Sequence, residues 1–586
     1  MNTTSLMDCY CFEYPPSSFK NPKSSLLDKK QSETNSSNSN LTGKNNLNSI
    51  EWFAFDPKED FGRMGLGTTN TNWRLSTINE KYEFSPTYPS ILGVPAKISD
   101  NTLRHIGRFR SKARIPALSY IHRTNQITIT RSAQPMVGLK QNRSIQDEKL
   151  VEAIFTSSSA KSESGMFHLI MDARPKANSL AQTAMGAGTE NSDNYLNSKV
   201  IYLGIENIHV VRDSLSKLFD ACVSFDMAPV SRSSLDRSGW LRHIKSILNG
   251  TLLMVQHIHQ YNLHCLLHCS DGWDRTAQIS SLAQLCLDPY YRTIRGLCVL
   301  IEKEWISFGH KFKDRCGHLS KVSESINSDK QTNYPSPSWQ QASKNLFGTA
   351  QKFFGNTFAN TSPIVQSSTS LNVSSESITP NNAAPKEISP IFLQFLDCLY
   401  QIWIQFPTQF EFDEKLLEFL YVSINSCEFG NFLFNNEKEL RQFQVQPQVG
   451  IDQSTRSVWT HIEQHKSQFL NPLYSPDQEI NVEPSVDQSS NTAIIIGARG
   501  VMDKDKVLFP TCDKLIYWSH LYHLSYSTLE SISNQDSIPN QPTSLPTLPV
   551  VFKQDSFQTV DMVTPKPTHP LEEPIVEMID LQGNGF

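Results

Sequence analysis

Nowhere in this chain do apolar residues run unbroken for the roughly 18 positions that a membrane-spanning helix needs. Any membrane contact is therefore expected to be peripheral. The N-terminus, MNTTSLMDCYCFEYPP, has neither a basic start nor an apolar core, so no secretory signal is read there. The 11 cysteines are scattered, odd in number and include no Cys-x-x-Cys pair. That spacing excludes a zinc ligand set of the usual kind and a secreted disulfide framework, and it fits reduced thiols in the cytosol. No metal and no cofactor is expected. An excess of positive charge is also missing: 53 Lys and Arg face 58 Asp and Glu, for a net charge of −5. Bulk nucleic-acid binding is excluded, and only a local basic site is left room. No repeat at solenoid spacing is present.

Aromatic residues nearly vanish from 21–48, a Ser/Asn/Lys-rich lead-in, and order is expected from Ile50-Glu51-Trp52-Phe53 onward. Apolar runs and turn signals then alternate to about 319. A low-complexity insertion is expected at about 320–388, carrying one aromatic island, Phe347 to Phe358, and a polar loop at about 475–492. Residues 531–586 read as a disordered tail. The stretch Ile391–Phe412 is too apolar to stand alone in water, so 50–530 is read as one domain interrupted by an insertion.

Within that domain, Arg242–Ile258 has helical apolar spacing, and Asn262–His268 reads as a short buried strand. After Arg275, Ala277, Ile279, Leu282, Ala283 and Cys286 recur at helical spacing, up to a stop at Asp288-Pro289. The stretch between strand and helix is HCSDGWDRT, 268–276, in which five residues separate Cys269 from Arg275. Such a spacing occurs by chance roughly once in a chain of this composition, and CLDPYYR, 286–292, supplies the chance example. That second match holds Pro289 and no glycine, so it cannot present a ring of backbone N–H donors.

The first match can. A loop entering a helix aims backbone N–H groups and the positive end of the helix dipole at one point. Gly272 allows a concave turn, and Arg275 can fork onto phosphate oxygens. The same field favours the Cys269 thiolate, a nucleophile toward phosphorus. Asp271 or Asp274 could protonate the leaving oxygen, and the loop by itself leaves both open. His268 orients the loop or is simply packed; Trp273 walls a substrate pocket or fills core.

The seven residues Cys269 to Arg275 resemble the hallmark loop of the myotubularin family of phosphoinositide phosphatases. So do SPTYPSILGVP (85–95), FRSKARIPALSY (109–120), DARPKAN (172–178), ENIHVVRDSL (206–215), YYRTIRG (290–296), EKEWISFGHKF (302–312), SPIFLQFLDC (389–398) and FLNPLY (469–474). The resemblance implies an α/β, protein-tyrosine-phosphatase-like fold with a central sheet flanked by helices. It implies removal of the 3-phosphate from phosphatidylinositol 3-phosphate and phosphatidylinositol 3,5-bisphosphate. Cys269 would be the nucleophile, Ser270, Asp271, Gly272, Trp273, Asp274 and Arg275 the phosphate loop, and Asp274 the favoured acid. The chain has no Trp-Pro-Asp loop to supply another. Asn207 and Ile208 match positions lining the headgroup. Arg315 matches a residue that holds a second phosphate, with Lys311 four before it on the same expected helix face.

Where the family has an asparagine in Ala-Asn-Lys, this chain has Gln182 in Ala-Gln-Thr, an amide one methylene longer. Only DCYCFEYPP, 8–16, resembles the end of the family's pleckstrin-like GRAM domain, so within 1–49 no complete one is expected. The sequence is then a truncated gene model, or membrane targeting has passed to something else. The expected partners are phosphoinositide headgroups at endosomal or vacuolar membranes, and a homo- or hetero-oligomer with other myotubularins. Two competing readings remain: a scaffold subunit pairing with an active relative, and a phosphatase of protein substrates.

Overall fold

The computed structural model describes residues 52–162, 165–223, 232–318, 387–477 and 500–522. The low-complexity stretches expected at 1–49, about 320–388, about 475–492 and 531–586 lie outside the described residues, apart from a few edge positions. So does the GRAM-like remnant at 8–16.

An antiparallel pair, β1 (Trp73–Ser76) and β2 (Leu92–Pro95), precedes the main sheet. The sheet comprises β3 (Ala117–Ile121), β4 (Thr128–Ala133), β5 (His168–Asp172), β6 (Ser198–Tyr202) and β7 (Cys265–Cys269), in the order β3-β4-β7-β5-β6. β3 runs antiparallel to β4, and every other pairing is parallel. Parallel strands need crossover connections, whose helices cover both faces of the sheet. Every residue of β3, β4, β5 and β7 is accordingly buried, Leu266 and His268 as fully as Cys265 and Leu267. The fold is the α/β sheet flanked by helices that the sequence led us to expect.

Two elements shift at their boundaries and a third ends where expected. The strand expected from Asn262 begins at Cys265, because Asn262 sits at φ +55°, in the left-handed region that ends pairing. The helix expected over Arg242–Ile258 runs Trp240–His259, starting after Gly239 at φ +72°. The helix after the loop is Arg275–Leu287, and it stops where Asp288 turns to accept the N–H of Tyr290. From Thr276 to Leu287 that helix is buried on all sides. It packs against Trp240–His259 and against the aromatic helix Ile391–Trp403, which is why it lacks a polar face.

The segments on either side of 319–386 share one core. Phe392 and Phe395 each place a ring centroid 4.9 Å from that of Trp305. Trp305 belongs to a π-helical turn, Glu302–Ser307, that continues the helix Ile294–Ile301 and buries three charged residues in a row. No helix among the described residues is long and apolar enough to cross a membrane.

Candidate active site at the end of the central strand

Because β7 lies at the centre of the sheet, its carboxyl end opens into a crevice where loops from both neighbouring strands converge. Cys269 is the last residue of β7, and the helix Arg275–Leu287 begins six residues later. Gly272, at the bend, has φ +78°, and a Cβ there would stand 2.3 Å from the carbonyl oxygen of Ser132 on β4. Only glycine lets the loop lie this close to the sheet. Two buried arginines hold the bend from beneath: Arg114 and Arg131 both donate to the Gly272 carbonyl, at 3.0 and 2.7 Å. Arg131 is itself anchored on Glu304 of the π-helical turn, at 2.7 Å.

The Cys269 sulfur accepts from the Gly272 N–H and from the Thr276 hydroxyl, each at 3.3 Å. Burial opposes ionisation of this thiol. The Arg275 cation and those two donors outweigh it and hold the thiol below its usual range. Arg275 donates to Ser270 Oγ at 3.1 Å and to the Ile205 carbonyl at 3.2 Å, which aims its guanidinium across the loop. His268 is buried, with Nε2 2.8 Å from Glu190 and Nδ1 3.2 Å from the Cys269 carbonyl. Glu190 raises the proton affinity of this ring against the effect of burial. The ring therefore anchors the loop from the interior.

A cleft of about 480 Å³ opens above the loop. It brings together Cys269, Ser270, Asp271, Trp273, Asp274, Arg275, Asn207, Ile208, Gln182, Lys311 and Arg315; Gly272 lies behind it. Among its lining side chains are five cations, Lys112, Arg174, Arg275, Lys311 and Arg315, against three carboxylates, Asp271, Asp274 and Glu387. Asn207 caps the helix Ile208–Val223, its side-chain oxygen accepting from the N–H groups of His209 and Val210. Gln182 accepts from Gln134 at 3.4 Å. The buried Trp273 ring lies among cations, with Lys112, Lys311 and Arg114 5.4, 5.2 and 5.5 Å from its centroid.

One expectation needs correction. Lys311 and Arg315 do not share a helix face. Lys311 precedes the helix Phe312–Cys316 as its non-helical cap, at φ −83° and ψ 67°, and pairs with Asp314 at 3.2 Å. Arg315 is buried and bound at both ends, to Asp274 at 2.9 Å and to Glu387 at 2.8 Å. The surroundings of Asp274 could not be foreseen from the loop. It stands at the cap position of Arg275–Leu287, yet its carboxylate makes no cap and turns to Arg315 and to His310, the latter at 3.0 Å. Burial alone would raise its proton affinity, but Arg315 and His310 prevail and hold it well below the usual carboxylate range. Both partners therefore favour its carboxylate form. Asp271, half-exposed, has Lys112 3.5 Å away.

CLDPYYR forms no cradle: Cys286 is buried within the helix, and burial pushes its thiol up to about 12. Lys112, Arg174, Asn178, His209 and Glu387, for which no role was expected, also line the cleft. Lys112 and Arg174 lie in two of the resembling stretches, FRSKARIPALSY and DARPKAN, but no spacing rule connects either to Cys269.

Residues 34–441 match the family described as the Myotubularin-like phosphatase domain. A human phosphatidylinositol-3,5-bisphosphate 3-phosphatase is 39% identical over 424 residues, covering 72% of this chain and 50% of the relative. The phosphoinositide 3-phosphatase of Saccharomyces cerevisiae is 36% identical over 522 residues, covering 83% of this chain and 73% of the relative. A human phosphatidylinositol-3-phosphate phosphatase is 35% identical over 474 residues, covering 80% and 56%. The chain thus spans about half the length of the human relatives it matches.

Proposed function

The chain belongs to the myotubularin-like phosphatase family, and from that premise we propose that it removes the 3-phosphate of phosphatidylinositol 3-phosphate and phosphatidylinositol 3,5-bisphosphate. The observation that carries this reading is the Cys269 sulfur seated between the Gly272 N–H and the Thr276 hydroxyl, at the start of a helix and facing a cationic cleft. The thiolate attacks phosphorus in line, the P–O bond to the inositol oxygen breaks, and that oxygen leaves with a proton. Arg275 and the loop N–H groups hold the phosphoryl oxygens as charge redistributes. Water then attacks the phosphocysteine, releasing phosphate and restoring the thiolate.

The proposed workplace is the surface of endosomal or vacuolar membranes, with the chain bound peripherally. Two bulky apolar side chains beside the site support this. Gln134 bonds the loop at Ser270, and four residues on, Gly138 bonds Ala187. Leu139 and Met185 flank that crossing and are 75% and 69% exposed, as suits side chains that enter a bilayer rather than water.

Phosphate release from short-chain phosphatidylinositol 3-phosphate by the purified chain tests the activity. Release is expected from the wild type and none from Cys269→Ser. Wild-type rates in Cys269→Ser would refute the role given to Cys269.

A further inference from the structure

We propose that Glu387 is a charge gate that selects against a second phosphate on the substrate, by occupying the arginine such a phosphate would use. The inference rests on the phosphoinositide reading above and assigns to Glu387 the discrimination between the two lipids.

The cleft holds more cationic groups than one phosphate requires. Arg275 serves the phosphate on Cys269, and Arg174 is tied to Asp172 at 2.7 Å. Lys112, Lys311 and Arg315 remain for a second anionic group. Of these only Arg315 is a buried fork, its side chain 4% exposed, and such a fork is the group best shaped for phosphate. Its donors are already engaged. Nε and Nη2 donate to the two carboxylate oxygens of Asp274 at 3.3 and 2.9 Å. Nη1 donates to the Glu387 carbonyl at 3.0 Å and to its carboxylate at 2.8 Å.

An incoming phosphate must displace one of the two carboxylates, and they are not equivalent. Asp274 is buried, and uncovering its charge inside the protein is expensive. Glu387 is 53% exposed and can turn to water at little cost. Its backbone would stay in place, because Ser389 holds the segment through Arg315 and Ile208: the Ser389 N–H donates to the Arg315 carbonyl at 3.0 Å, and its hydroxyl to the Ile208 carbonyl at 2.8 Å. A substrate with one phosphate monoester on its inositol ring leaves the Glu387–Arg315 pair intact. A substrate with two must break it and then lie beside the released carboxylate.

The test compares kcat/KM for short-chain phosphatidylinositol 3-phosphate and 3,5-bisphosphate in the wild type and in Glu387→Gln, which keeps the shape and the carbonyl contact. The expected result is a rise in the bisphosphate-to-monophosphate ratio by about fivefold or more, as for a rim charge facing a like-charged ligand. Glu387→Lys should raise the ratio further, and both effects should shrink as salt screens the cleft mouth. An unchanged or lower ratio in both variants, with both lipids still hydrolysed, overturns the gate and leaves the phosphatase reading intact. No release from either lipid by the wild type overturns that reading and the gate together.

Discussion

Arg131 Nη2 lies 2.7 Å from the carbonyl oxygen of Gly272, so the shape of the loop around Cys269 is set from inside the sheet rather than from the cleft. Arg131 is the fourth residue of β4 and fully buried, and its side chain also donates to the carbonyl and the carboxylate of Glu304. Arg131→Met should cost about 3–5 kcal/mol of stability, because it strands a buried carboxylate. Adding Glu304→Gln should restore much of that in urea denaturation. Phosphate release should stay at least about tenfold down in the double variant, since the loop is still unbraced. Recovery of activity along with stability would show that Arg131 serves the core alone.

Thr276→Val keeps the volume of the side chain and removes one of the donors to the Cys269 sulfur. The thiol should then titrate at higher pH, since a hydrogen bond to the thiolate favours the charged form. Alkylation of Cys269 followed against pH should show its midpoint moved upward; an unmoved midpoint would leave Arg275 and the loop N–H groups as its main support.

Asp274 can act as an acid only after its pairing with Arg315 and His310 is offset, and the 3-phosphate dianion seated on Arg275 beside it would raise its proton affinity as a like charge does. Asp274→Asn should reduce hydrolysis of the lipid by about 10²–10⁴-fold, the usual worth of a general acid. An aryl phosphate, whose leaving group needs no proton, should suffer far less. Asp271→Asn should change the two substrates alike. If Asp271→Asn instead spares the aryl phosphate and cripples the lipid, the acid is Asp271.

Glu302 is buried, and burial pushes its carboxyl up to about 7 although it accepts the N–H groups of Ala54 and Phe55. Its folded pKa lies above its ordinary value near 4.5, so the folded chain holds this proton more tightly than the unfolded one. Stability from this group is full below pH 4.5, falls as pH rises toward about 7, and is flat beyond. Glu302→Gln lacks that loss. Relative to wild type, the variant should gain about 3 kcal/mol between pH 4 and pH 8 in denaturant unfolding. A difference independent of pH would contradict the assignment.

The nucleophile was legible in the sequence because its chemistry is local: Cys269, Gly272 and Arg275 sit within one loop, between a strand and a helix whose apolar spacing marks both. The strand order was not, since nothing in CLLHC says that β4 will lie on one side and β5 on the other. The expected shared helix face of Lys311 and Arg315 failed because a spacing of four implies one only inside a helix, and this helix starts after Lys311. The state of Asp274 was hidden for a related reason. It is set by His310, Arg315 and, through Arg315, Glu387, residues remote in sequence that only the folded chain brings to the loop.

The wall of the cleft that holds Arg315 in place is completed from beyond 386, by Glu387 and Ser389 and by the burial of Ile391–Trp403 against the helix that follows Cys269. A ribosome delivers Cys269 more than a hundred residues earlier, which at roughly 5–20 residues per second is a wait of about 6 to 24 seconds. Throughout that interval Cys269 sits on an unfinished core, an ordinary thiol until the packed loop places Arg275, the Gly272 N–H and the Thr276 hydroxyl around its sulfur. The activated thiolate therefore belongs to the finished fold, which residues more than a hundred positions downstream complete.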